Sequence, residues 1–164
     1  MNKAIFLDRD GVINKKAEEH DYIKNLDEFT LLTDVPAAIK LIKNQGYLVI
    51  IISNQRGVAK GIMTTEAVNK IHEKLNRLLR QYGVKIDAFY WCGHDYEDRC
   101  ECRKPSPGLI LRSVKDFDID IRNSWLIGDS EHDKMCAINA GVKYKIIETD
   151  GSLMQAVKEI FNDE

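Results

Sequence analysis

The chain lacks an excess of basic residues: 24 Lys and Arg stand against 26 Asp and Glu, a formal net charge of −2. That balance argues against nucleic acid or an anionic membrane as the main partner. Any phosphate must therefore be held by a few focused groups. Long apolar runs are missing too. The longest, Leu48–Ile52, falls far short of the roughly 20 residues that span a bilayer. The only early apolar run, Ala4–Leu7, is cut off by Asp8, Arg9 and Asp10, so no signal-peptide pattern forms and a cytoplasmic location is expected. Three prolines and ten glycines in 164 residues make no linker, repeat or low-complexity stretch. A single domain over 1–164 is expected, and it is long enough to bury a core without disulfides. A monomer is the expected state.

Cysteine is also scarce, and its placement is uneven. Three of the four cysteines, Cys92, Cys100 and Cys102, share one short window with His94. In a cytosolic chain such a cluster reads as metal ligands rather than a disulfide framework. Three thiolates and an imidazole suit tetrahedral Zn²⁺, and a closed four-ligand site would fix a loop rather than catalyse. Cys136, alone on a predicted helix, reads as a small buried apolar residue.

What is present is an alternation of strand and helix patterns. Strands are expected at Lys3–Leu7, Tyr47–Ile52, Ala88–Trp91, Ser124–Ile127 and Tyr144–Ile147. The β-branched second run suits a strand buried on both faces. Helices are expected from about Pro36 to Asn44 with Asp34 as N-cap, and from Thr64 or Thr65 to about Tyr82 with Val68, Ile71, Leu75, Leu78 and Leu79 on one stripe. Further helices run from Ser106-Pro107 to Phe117, from Glu131 to Asn139, and over Ser152–Phe161. Repeated βαβ units imply a three-layer, Rossmann-like parallel sheet flanked by helices. In such sheets ligands bind beyond the carboxyl ends of the strands. The stretch Asn14–Thr33 has weak periodicity and reads as a loop over that same edge.

The chemically capable residues cluster at those strand ends. Asp8-Arg9-Asp10-Gly11 follows the first strand. It is either an acidic turn or a pair of carboxylates aimed at one spot, with Gly11 letting the backbone bend. Ser53-Asn54-Gln55 follows the second strand, where a hydroxyl and free N–H groups could hold phosphate oxygens. Arg103-Lys104-Pro105 precedes a helix with Ser106 as the expected cap; a cation set against the macrodipole suggests a shared anion. Asp129 and Asp133 follow the fourth strand one helical turn apart. Asp129 beside Asp8 and Asp10 would complete an oxygen-rich Mg²⁺ site. His72 and His132 are expected at the surface or in hydrogen bonds, and Trp91 and Trp125 in core or edge packing.

In combination, DxD, Ser, Lys and GDxxxD in this order resemble the haloacid dehalogenase superfamily of phosphatases, over essentially the whole chain. FLDRDGVIN, SNQRGVAKG, CxH…CxCRKPxPG and GDSEHD resemble its branch of heptose bisphosphate and histidinol-phosphate phosphatases. The resemblance implies a HAD-like fold with a zinc loop in place of a large cap domain. It implies Asp8 as nucleophile and Asp10 as general acid and base. Mg²⁺ would be held by Asp8, the Asp10 carbonyl and Asp129, while Ser53 and Lys104 steady the phosphoryl group. Substrate contacts would come from Arg9, Asn54, Gln55, Arg56, Arg103 and the segment Glu19, His20, Asp21 and Tyr22. Asp133 would act behind the metal ligands. The expected substrate is a sugar phosphate, either the 7-phosphate of a heptose 1,7-bisphosphate or, alternatively, histidinol phosphate. Arg56 and the short His94–Cys100 interval depart from the usual heptose pattern and bear on that choice.

Overall fold

The computed structural model describes residues 1–162. Its centre is a five-stranded parallel sheet in the order β3-β2-β1-β4-β5. The strands are β1 (Lys3–Leu7), β2 (Tyr47–Asn54), β3 (Ala88–Cys92), β4 (Trp125–Gly128) and β5 (Lys143–Ile146). Between and after them lie α1 (Val35–Asn44), α2 (Thr65–Arg80), α3 (Gly108–Phe117), α4 (Glu131–Ala140) and α5 (Leu153–Asn162). The chain runs outward from β1 through β2 to β3, then returns to the far side of β1 for β4. Strand order thus reverses at β1, where an open sheet of this kind forms its ligand crevice.

Side-chain alternation along β1 and β2 builds a core on each face. Ile5, Leu7, Val49 and Ile51 pack with α1, α2 and α5, through Ile39, Ile71, Leu75 and Val157 among others. Ala4, Phe6, Ile50 and Ile52 point the other way, onto Leu109 and Ile110 of α3 and Cys136 and Ala137 of α4. Each fully buried aliphatic side chain contributes about 1.5–3 kcal/mol. Three layers result, and no large cap domain is inserted between them. No helix among the described residues is long and apolar enough to cross a membrane.

Several boundaries differ from the sequence reading. β2 runs two residues further, so Ser53 and Asn54 lie inside the strand, paired with Trp91 and Cys92. The short run of polar residues there hides a ladder that continues because a neighbour is present to bond it. Asp34 stands at the N-cap position of α1 but makes no side-chain cap there. Its carboxylate instead accepts the Ser152 hydroxyl at 2.7 Å and the Met154 N–H at 3.0 Å, capping α5. Ser106 is not the cap of α3; Pro107 occupies that position without a side-chain bond. Thr64 caps α2 as expected, accepting from the Ala67 N–H at 3.1 Å. The segment 14–33 is a loop with one short 3-10 turn, Leu26–Glu28, and is anchored by buried Ile23 and Phe29.

Candidate active site

β1 ends at Leu7 between β2 and β4, and this central position delivers Asp8 to the middle of the crevice. A cavity of about 330 Å³ opens there, lined by Asp8, Asp10, Lys104, Asp129, Asn54 and Gln55, and walled by residues 16–23. The turn after β1 depends on Gly11, whose φ of +89° suits glycine. A Cβ at Gly11 would also lie 2.3 Å from Oδ2 of Asp129. At Gly128 a Cβ would lie 2.3 Å from that of Asp133, so β4 can pass close under the start of α4 only as glycine.

Lys104 is the hub of the cluster. Its buried ammonium donates to Asp8 Oδ1 at 2.9 Å, to Asp133 Oδ1 at 2.6 Å and to the Ile52 carbonyl at 2.9 Å. Asn54 pins the Lys104 peptide, accepting its N–H at 3.0 Å and donating to its carbonyl at 3.2 Å. Asp133 in turn accepts the Asp129 N–H at 3.1 Å and the Ser130 hydroxyl at 2.9 Å. Burial opposes charge on Asp133, but Lys104 and these donors hold its pKa low.

Asp8, Asp129 and Asp133 offer carboxylate oxygens within 4.8 Å of one another. The buried Lys104 ammonium bonds two of the three, and among the described residues Asp129 has only the exposed Lys16 as its cation. Burial, reinforced by the charges of Asp133 and Asp129, pushes the pKa of Asp8 up to about 8 despite Lys104. The cluster is short of positive charge. Asp129 Oδ1 is buried with no partner, while its Oδ2 accepts from Thr149 at 2.8 Å and from Lys16 at 3.3 Å. An orphaned carboxylate oxygen beside Asp8 fits a hard divalent cation.

Asp10 is held differently. Its Oδ1 accepts from Arg9 and Asn14, both at 2.9 Å, and its Oδ2 from Gln55 at 2.9 Å. Burial alone would raise its pKa, yet the Arg9 charge and these donors bring it below the usual carboxylate value. Two neighbouring aspartates thus have their proton affinities driven apart, Asp8 upward by burial and its acidic neighbours, Asp10 downward by Arg9 and its hydrogen-bond donors.

The cysteine cluster lies at the end of β3. The Cys92 and Cys102 sulfurs are placed as a disulfide with Cα atoms 5.6 Å apart. His94 Nδ1 nevertheless lies 3.4 Å and 3.2 Å from those sulfurs, and Cys100 Sγ 3.6 Å from that of Cys92. All four ligand atoms fall within 4.8 Å of one another. A lone disulfide needs neither His94 nor Cys100 at that point, so the set could hold a metal.

The expected substrate residues divide. Glu19, His20, Asp21 and Tyr22 line the cavity, with Asn54 and Gln55. Arg9 does not: it is fully buried and turned to Asp10 and His72 of α2, because a guanidinium stripped of water is held by the nearest anion. Ser53 is also fully buried, its hydroxyl accepting from Gln55 at 2.8 Å. Arg56 pairs with Asp95 at 2.5 Å. It shares the ring of Tyr96 with Arg103, the two guanidinium carbons 4.5 Å and 4.2 Å from its centroid. His72 is buried and hydrogen-bonded, not at the surface. Lys16 and Thr149, the partners of Asp129, were missed by sequence reasoning. Both sit in irregular segments, and no local pattern marks them.

A carboxylate gripped by an ammonium, beside an acid that follows the adjoining strand and keeps one buried oxygen without a partner, is suited to phosphoryl transfer. On this strand order it makes the protein a phosphatase of the haloacid dehalogenase type, a phosphoric monoester hydrolase. Residues 3–152 match the model of the polynucleotide kinase 3 phosphatase family, and the chain belongs to that family. It is 35% identical to D-glycero-beta-D-manno-heptose-1,7-bisphosphate 7-phosphatase of Haemophilus ducreyi, covering 96% of this chain and 88% of that one. The enzyme of the same name from Helicobacter pylori is 37% identical, over 93% of this chain and 86% of its own. The crystal structure of D,D-heptose 1,7-bisphosphate phosphatase from B. bronchiseptica, complexed with magnesium and phosphate, superposes with a TM-score of 0.91. It shares 30% identity over 99% of each chain.

Proposed function

We propose that the protein removes the 7-phosphate of D-glycero-D-manno-heptose 1,7-bisphosphate through a phosphoaspartate on Asp8. The observation that carries this reading is the Asp8 carboxylate set between the Lys104 ammonium and the partnerless oxygen of Asp129. Similarity over nearly the whole chain to enzymes named for that substrate supports the choice of sugar.

Asp8, the Asp10 carbonyl and Asp129 are the residues to hold Mg²⁺. When bound, Mg²⁺ supplies the positive charge that keeps Asp8 ionised and draws phosphate oxygens to it. An Asp8 oxygen attacks phosphorus, the bond from phosphorus to the C7 oxygen breaks, and Asp10 gives that oxygen a proton. Arrival of a phosphate beside Asp10 adds negative charge, which raises its proton affinity from the low value of the free protein. Water then attacks the phosphoaspartate, Asp10 takes its proton back, and inorganic phosphate leaves with Asp8 restored. Lys104 neutralises the transferring group throughout, and the Ser53 hydroxyl, which accepts from Gln55, has its own proton to donate to a phosphoryl oxygen.

Arg56 and Arg103, stacked about Tyr96 and next in sequence to the cavity residues Gln55 and Lys104, are suited to a second phosphate. Glu19, His20, Asp21 and Tyr22 line the space for the sugar. The Cys92, His94, Cys100 and Cys102 set is a structural zinc site that fixes the loop carrying Arg103 and Lys104.

The test is phosphate release from the heptose bisphosphate and from histidinol phosphate, with and without Mg²⁺, by the wild type and Asp8→Asn. Mg²⁺-dependent release favouring the heptose, and lost in a folded Asp8→Asn, is expected. Faster hydrolysis of histidinol phosphate, or an active Asp8→Asn, overturns the reading.

A further inference from the structure

Arg9 neither lines the cavity nor reaches the surface. Its guanidinium is anchored at two ends. Nη2 donates to Asp10 Oδ1 at 2.9 Å, and Nη1 lies 3.3 Å from Nε2 of His72, while Nε has no partner. His72 belongs to α2, is 4% exposed, and stacks on Phe89 of β3 with ring centroids 4.4 Å apart. Neither Arg9 nor His72 lines the cavity that Asp8 and Asp10 share.

Balancing the charge of Arg9 requires only Asp10. The second anchor does something else. A guanidinium is planar, with its donors in a fixed fork, so holding both ends sets its rotation and thereby the place of the Asp10 oxygen it binds. Arg9 can only donate, so Nε2 of His72 must accept and its ring proton sits on Nδ1. A neutral acceptor is the right chemistry for that position. An acid at 72 would draw the guanidinium away from Asp10, and a lysine would repel it.

The two oxygens of Asp10 are then unlike. Oδ1 is taken by Arg9 and Asn14, whereas Oδ2 receives only Gln55. Oδ2 keeps room for a proton and a leaving group. We propose that His72 and Arg9 are positioning residues, which lock Oδ1 of Asp10 so that Oδ2 stays presented to the leaving oxygen. This rests on the role given to Asp10 above.

The consequence is selective. An alkoxide leaving from a sugar needs a proton, whereas nitrophenolate leaves without one. Comparing kcat/KM, which covers steps only up to leaving-group departure, on heptose bisphosphate and p-nitrophenyl phosphate therefore isolates the proton donor. Arg9→Gln and His72→Leu should lose on the order of 10²-fold on the sugar phosphate and less than about threefold on the aryl phosphate. His72→Gln, whose side-chain oxygen can accept from Arg9, should stay near wild type on both.

Equal losses on the two substrates, or a His72→Gln as impaired as His72→Leu, overturn the proposal. Should Arg9→Gln fail to fold, the two His72 variants decide alone. A wild type that hydrolyses neither substrate with Mg²⁺ instead overturns the functional reading beneath it.

Discussion

The ammonium of Lys104 lies 2.9 Å from Oδ1 of Asp8, across 96 residues of chain, and the same ammonium is 2.6 Å from Asp133. One buried cation therefore serves two carboxylates brought in by different elements, Asp8 by the end of β1 and Asp133 by the first turn of α4. Removing it strands both. Lys104→Met should cost about 3–5 kcal/mol in urea unfolding, the usual cost of an uncompensated buried charge. Adding Asp133→Asn should recover part of that loss, because it removes one of the stranded charges. A stability within error of wild type would contradict the burial of this pair.

Gly11 permits the turn that brings Asp8 and Asp129 together. Its φ is +89°, and a methyl group there would sit 2.3 Å from Asp129 Oδ2. Gly11→Ala should displace that carboxylate and raise the Mg²⁺ concentration for half-maximal activity by about 10–100-fold. Titrating activity with Mg²⁺ checks this, and an unchanged midpoint counts against Asp129 as a ligand.

For the cysteine cluster, the expected finding is one zinc per chain by elemental analysis of protein purified with reductant. Cys100→Ser should lose most of that zinc. It should raise KM more than it lowers kcat, because the loop ahead of Arg103 and Lys104 loosens while β1 and β4 stay in place. Absence of zinc together with a persistent Cys92–Cys102 disulfide would refute the structural-metal reading.

His72 gives a pH signature in stability. Burial, then the nearby Arg9 charge, depresses its pKa to about 3, with Asp10 opposing; Asn69, Glu73 and Arg77 line a surface groove with it, apart from the active-site cavity. The unfolded chain takes up a proton near pH 6.5 that the folded chain refuses, so stability falls as pH drops from 6.5 toward 3. Between pH 7 and pH 5 the wild type should lose about 2 kcal/mol more than His72→Gln. Denaturant midpoints at the two pH values measure this directly, the carboxylates shared by both proteins cancelling in the difference. Equal losses would mean His72 titrates freely.

Much of this was legible in the chain. The five strands and five helices follow from local periodicity, and β1 and α2 begin where their patterns begin. The end of β2 was not legible, because Ser53 and Asn54 look like loop residues until β3 offers them a ladder. Asp34 illustrates the same limit. It has the composition of an N-cap and does cap a helix, but that helix is α5, reached through Ser152, 118 residues away.

The site divides along the same line. Asp8, Asp10, Lys104 and Asp129 could be singled out because each stands at the end of an element whose pattern is local, and parallel strands bring such ends to one edge. Arg9 could not be placed, since its neighbours in sequence are both acids of the cluster while its second partner lies 63 residues away on α2. Sequence by itself determined which chemical groups arrive at the edge of the sheet, for hydrophobic period and turn residues act over a few positions. Only the tertiary structure decided which way each group turns. That depends on what burial strips of water, and a buried charge takes the partner that packing places beside it.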